Sequence, residues 1–67
     1  MNKIRDFTVP ELNMFRELCN FTDEEREVFE LRAKDKTISQ IAYDMNISEP
    51  KVSILIKRVK KKMIRVI

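Results

Sequence analysis

Apolar residues along this chain recur three and four positions apart, the spacing of one face of a helix, and no stretch alternates with the period of two that a half-buried strand requires. In 9–19, Leu12, Phe15, Leu18 and Cys19 fall within one stripe at about 100° per residue. In 23–34, Val28, Phe29 and Leu31 do the same, and 38–45 presents Ile38, Ile41, Ala42 and Met45. The most regular pattern is in 49–65 and just beyond it, where Val52, Leu55, Ile56, Val59, Met63 and Val66 keep the inward spacing throughout. The pattern predicts four helices over 9–19, 23–34, 38–45 and 49–65, and an all-α fold.

The starts of these helices are written in their polar residues. Thr8 with Glu11, Thr22 with Glu25 and Thr37 with Gln40 each place a hydroxyl three positions before a Glu or Gln, the arrangement in which two side chains satisfy free backbone N–H groups reciprocally. Ser48 marks a fourth start, because Pro50 two positions later is tolerated only in a first turn, where its missing N–H costs nothing. Only Asn46 and Ile47 separate the third helix from the Ser48 cap, so two helices meet through a tight turn of the helix-turn-helix kind. Such a turn needs left-handed backbone, and in a chain with no glycine Asn46 is the residue best suited to supply it. Ile47 is expected to tuck inward beside Ile41, Ala42 and Val52. The reading is a four-helix helix-turn-helix bundle in which 9–19 is an extra N-terminal helix and 21–67 the functional unit, all within a single domain of 67 residues.

Composition narrows the function. Without glycine, the backbone loops that cradle nucleotide phosphates are excluded. Ser39, Ser48 and Ser53 have no histidine to activate them, and Cys19, the single cysteine, forms no internal disulfide and has no histidine beside it to complete a zinc site. No catalytic residue, metal ligand or cofactor is expected, and the chain is not read as an enzyme. No apolar run reaches the roughly 20 residues of a membrane span, and Lys3, Arg5 and Asp6 stand where a signal peptide would be apolar, so the expected home is a reducing cytoplasm with no membrane partner.

The net charge of +3 is unevenly placed: residues 1–35 carry −3 and residues 36–67 carry +6. The second half is where a polyanion should dock, the bland alternative being a solvated lysine face.

Beyond these patterns, Phe21 to Met63, reading FTDEEREVFELRAKDKTISQIAYDMNISEPKVSILIKRVKKKM, resembles without gaps the DNA-binding domain of LuxR-type regulators and is similar to the fourth conserved region of bacterial sigma factors. Thr22, Glu25, Glu27 and Val28 match at the opening helix, Ile41 and Ala42 in the positioning helix, Ile47, Ser48 and Val52 across the turn, and Lys62 with Met63 near the end. Asp35 and Asn46 stand where the family usually has glycines, and Ile54 and Leu55 replace residues that are often polar or basic. A LuxR-type unit continues into a pairing helix, whereas the sequence given ends at Ile67, and in that respect it is closer to the sigma region.

The resemblance implies that the last helix enters the major groove of double-stranded DNA while the helix starting near Thr37 turns its N-terminal end to a phosphate. By position it implies DNA contacts from Glu49, Lys51, Ser53, Ile54, Leu55 and Arg58, and Thr37 and Ser48 are counted with them as expected DNA-binding residues. The helical projection independently sets Ile54, Lys57, Arg58, Lys61 and Arg65 opposite the buried stripe. Lys57, Lys60, Lys61 and Arg65 are then expected on phosphates, and Lys51, Ser53 and Ile54 near base edges, with Ile54 either on a thymine methyl or beneath a neighbouring protein surface. Glu49 either favours the helix dipole or accepts a hydrogen bond from cytosine. The cluster Asp23, Glu24, Glu25, Glu27 and Glu30 reads as a dipole-matched solvated face that either repels DNA or meets a basic partner. The function expected is sequence-specific DNA binding by a transcriptional regulator of bacterial or phage origin, acting as a homodimer or in a larger assembly. Ile64 and Ile67 at one end and Ile4, Phe7 and Met14 at the other are the residues left for pairing, or else they pad the core. The alternative is an adaptor that binds RNA polymerase, a sigma factor or another regulator without reading DNA.

Overall fold

The computed structural model describes residues 4–67, with Arg5 described by its backbone alone. A short 3-10 turn, Ile4–Asp6, is followed by α1 (Val9–Leu18), α2 (Asp23–Ala33), α3 (Ile38–Met45) and α4 (Glu49–Val66), with no strand among the described residues. The helices begin where the capping residues placed them. Thr8 N–H donates to Glu11 Oε1 at 2.8 Å, Thr22 N–H to Glu25 Oε1 at 3.0 Å and Thr37 N–H to Gln40 Oε1 at 2.9 Å, while each threonine hydroxyl accepts from the backbone N–H three residues on. Ser48 Oγ accepts from Lys51 N–H at 3.3 Å and starts α4.

Two of the stops use left-handed backbone without glycine. Asp35 has φ 65° and Asn46 φ 56°. After α2, Lys36 N–H donates to Leu31 C=O and Asp35 N–H to Arg32 C=O; after α3, Ile47 N–H donates to Ala42 C=O and Asn46 N–H to Tyr43 C=O. Both are the paired closing bonds of a Schellman stop, and in the second the accompanying apolar contact is Ile47 packing toward the cluster that holds Ala42.

α4 is 18 residues long, about 27 Å at 1.5 Å per residue, against a longest molecular dimension of 29 Å. It is therefore the spine on which the rest packs. Against its N-terminal half, Val28, Ile41 and Ala42 meet Val52, Leu55 and Ile56. Against its C-terminal half, Ile4, Leu12, Phe15, Cys19, Phe21 and Phe29 meet Val59 and Met63. Phe15 is the hub of that second cluster, edge-on to Phe7 at 5.1 Å and to Phe29 at 6.5 Å between ring centroids.

The inward stripes hold with one correction. Leu18, expected inside, is 58% exposed. It lies roughly 120° around the helix from Leu12, and Cys19, just past the end of α1, takes the inward place instead, its N–H bonded to Phe15 C=O at 2.9 Å. Burial pushes the Cys19 thiol above its ordinary pKa, with Lys62 drawing it the other way. The residues set aside for pairing at the N-terminal end also turn out differently, because Ile4 is fully buried and Phe7 and Met14 pack half-buried against the aromatic cluster.

α1 is tied to α2 by Arg16, whose Nε and Nη2 donate to Glu30 Oε2 and Oε1 at 2.6 and 2.8 Å while Nη1 donates to Asn13 Oδ1 at 2.7 Å. The guanidinium also lies 5.7 Å from the centre of the Phe29 ring. Glu30 is thus half-buried and paired, not part of a free acidic face; the Arg16 hydrogen bond holds its carboxyl below the usual range against the opposing effect of burial.

Candidate nucleic-acid interface

The turn between α3 and α4 is built as its sequence required. Asn46 supplies the left-handed residue, Ile47 packs half-buried toward Ile41 and Val52, and Ser48 caps α4. Ser39 Oγ donates to Glu49 Oε2 at 3.1 Å, so the first turns of α3 and α4 are linked across the outer surface. Glu49 is held by this bond at the positive end of the α4 dipole.

Along the outside of α4, Ile54, Lys57, Arg58, Lys61 and Arg65 are exposed, and the four cations make no ion pair among the described residues. Ile54 is 48% exposed and stands among them. No helix of the bundle covers this face, because α1, α2 and α3 all pack on the opposite stripe. Lys51 and Ser53 are half-buried at the N-terminal end, Lys51 Nζ lying 4.0 Å from Glu24 Oε1 at a site open enough for the pair to contribute little. Thr37 and Ser48 are exposed, their hydroxyls occupied in capping.

Two of the expected contact residues lie elsewhere. Leu55 is 1% exposed and belongs to the cluster formed with Val28, Ile41 and Val52, so the helical periodicity, not the positional resemblance, located it correctly. Lys60 lines an apolar groove beside Phe7 and Met14, about 120° around α4 from Ile54. A third lysine has a fixed task. Lys62 Nζ donates to Glu25 Oε1 at 2.5 Å and to Asn20 C=O at 2.8 Å, which clamps the start of α2 to the C-terminal half of α4.

Glu25 is 3% exposed, which corrects its reading as part of a solvated face. Burial works to raise its pKa, but the Lys62 ammonium and the Thr22 backbone N–H together hold it below the ordinary carboxylate range. The sequence carried half of this signal, since the capping box located the Glu25 carboxylate at the α2 start; its partner 37 residues away could not be read from spacing.

Tyr43, on the outer side of α3, was not singled out from the sequence. It is 87% exposed, the most open of the large apolar side chains among the described residues. Its signal was available in the pattern, as the one aromatic in a helix whose inward positions are all accounted for by Ile38, Ile41, Ala42 and Met45.

Comparison with known families decides the affiliation: the profile described as bacterial regulatory proteins, luxR family, matches residues 19–64. The chain belongs to the LuxR family of regulatory proteins. No curated protein and no solved structure matches it. The matched span runs from Cys19 through α2, the α3–turn–α4 unit and Ile64, leaving α1 and the 3-10 turn outside. This LuxR-family unit is a helix-turn-helix DNA-binding fold, and its α4 is the helix whose outer face is basic and uncovered. No helix among the described residues is long and apolar enough to cross a membrane.

Proposed function

We propose that this chain is a sequence-specific double-stranded DNA-binding regulator of bacterial or phage transcription, with 49–65 seated in the major groove. The observation that carries the reading is that the outward side of α4 is at once basic and unobstructed. An α-helix with its side chains is about 10–12 Å across and a B-form major groove about 12 Å wide, so the helix fits there with its inner stripe still in the bundle.

In this arrangement Lys57, Arg58, Lys61 and Arg65 neutralise phosphates, and Lys51, Ser53 and Ile54 near the entering end face base edges. Ile54 packs on a thymine methyl, the apolar group that the major groove offers. The N-terminus of α3 addresses a second stretch of backbone. Gln40 N–H is already bonded to Thr37 Oγ1, while the Ile38 and Ser39 N–H groups in the first turn have no intrahelical acceptor and suit a phosphate oxygen.

Four phosphate contacts give a log–log slope of binding against salt of about −3.6. Fluorescence anisotropy with duplexes at several salt concentrations is the test. A slope near −3 to −4 supports the reading, and binding that ignores salt overturns it in favour of the adaptor, for which exposed Tyr43 on α3 offers a protein-facing side chain. Ile54→Ala should weaken binding to an A·T-containing site more than to random duplex; equal losses remove direct readout by Ile54.

A further inference from the structure

At the entering end of α4 one cation differs from those further along the outer face. Lys57, Arg58, Lys61 and Arg65 make no ion pair among the described residues, whereas Lys51 Nζ lies 4.0 Å from Glu24 Oε1. Lys51 occupies the boundary of that face: Ile54 and Leu55, three and four positions on, stand beside it on the helix, the first exposed and the second buried. Its ammonium reaches α2, where it meets Glu24 in the first helical turn, and both side chains are roughly half open to solvent. We propose that Glu24 is a specificity-determining residue, which turns Lys51 away from phosphates and toward a neutral acceptor on a base edge, guanine O6 and N7 above all. The proposal deepens the reading of α4 as the major-groove helix and rests on it.

A phosphate carries a full charge and feels the carboxylate as well as the ammonium. With the two groups 4.0 Å apart, both act within the screening length of about 8–10 Å, so repulsion from Glu24 offsets much of the attraction to Lys51. A base edge is neutral. Its acceptors bind an ammonium through a short, directed hydrogen bond, which a carboxylate beside the nitrogen leaves largely intact. Lysine has three N–H donors, so Lys51 can bond guanine O6 and N7 without giving up its contact with Glu24. The contact also restrains a flexible four-carbon stem that would otherwise sweep the neighbouring phosphates. Discrimination of this kind is repulsive, the wrong contact being penalised more than the right one is rewarded.

The neighbouring acids are committed elsewhere. The start of α2 is secured by Thr22 and Glu25, and Glu25 is buried against Lys62. Glu49, two residues before Lys51, accepts the Ser39 hydroxyl at 3.1 Å. Glu24 takes no part in the capping box, and an open pair such as Lys51–Glu24 adds little to stability. Replacing its carboxylate by an amide therefore gives up only a small favourable interaction with the α2 dipole, which leaves the effect on DNA to be read cleanly.

Fluorescence anisotropy of the full chain on a random-sequence duplex, at several salt concentrations, tests this with E24Q, K51M and E24Q/K51M, each checked for an unchanged helical circular-dichroism spectrum. E24Q should bind the random duplex severalfold more tightly, and its salt slope should steepen by about 0.9 as Lys51 takes up a phosphate. In the K51M background the same substitution should change neither quantity, because it acts through Lys51. Selection from a pool of randomised duplexes gives the second readout. The wild-type chain should enrich a G·C pair at one position, K51M should lose that preference, and E24Q should retain it only weakly. An unchanged slope in E24Q, a gain that persists in full without Lys51, or the lack of a G·C preference tied to Lys51 overturns the proposal. The failures are separable: wild-type binding that ignores salt refutes the DNA reading and this inference with it, whereas steep wild-type binding with an unresponsive E24Q refutes the role of Glu24 alone.

Discussion

At its N-terminal half α4 is packed by short aliphatic side chains, Val28, Ile41 and Ala42, and at its C-terminal half by the rings of Phe15, Phe21 and Phe29 with Met63 between the helices. In the first region the ion pair seen among the described residues is the loose Lys51–Glu24 contact. The second is closed by two tight ones, Arg16–Glu30 and Lys62–Glu25. The difference separates two tasks. The helix-turn-helix end must let α3 approach α4 closely, which small and β-branched residues allow, and it leaves its cations for solvent. The other end holds the bundle together and recruits α1, a helix outside the family's matched span, to complete its core.

Phe15→Ala should break the comparison most decisively. Removing a fully buried ring from the hub of the aromatic cluster costs about 3–5 kcal/mol, comparable with all the stability a core of this size supplies, and thermal unfolding followed by circular dichroism should show a chain that is largely unfolded. Leu55→Ala at the other end should cost about 2–5 kcal/mol. Duplex affinity per folded molecule should stay unchanged, because Leu55 faces the core; an affinity loss at full folding would return it to the interface.

The adjacent lysines sharpen the contrast. Lys62→Met leaves the buried Glu25 carboxylate without its cation and should cost about 1–3 kcal/mol in urea unfolding. Lys61→Met, one residue earlier and exposed, should leave stability within about 0.5 kcal/mol and lower the magnitude of the salt slope of duplex binding by about 0.9.

Acid should act on the clamped end first. Glu25 and Glu30 both have folded-state pKa values below their ordinary ones. Their contribution to stability is therefore fully present above the unfolded carboxylate range, about 4.3 for Glu, and is lost as pH falls through the lower folded values. The melting midpoint should drop on that acid limb, and Glu25→Gln should make the drop shallower. The smallest effect is expected at the turn: Asn46→Gly, which removes the Cβ from a left-handed residue, should stabilise by about 0.5 kcal/mol.

How much was legible follows the range of each interaction. The caps at Thr8, Thr22, Thr37 and Ser48, and the left-handed Asn46, were readable because each is a contact within a few residues. The extra helix was readable as a helix, yet not its partners, since the seat of Phe15 between Phe7 and Phe29 is a matter of how two helices cross. Leu55 was assigned both to the core and to the interface, and periodicity proved the better guide because burial follows helical angle.

Amphipathic spacing and capping chemistry thus determined four helices, their boundaries to within a residue or two, and the tight turn before α4, since those follow from hydrogen bonds and side-chain angles along one segment. Packing decided the rest. Lys60, Lys61 and Lys62 are identical in the sequence, but successive residues point about 100° apart, and only the arrangement of α1 and α2 around α4 sends one to a groove, one to solvent and one to Glu25.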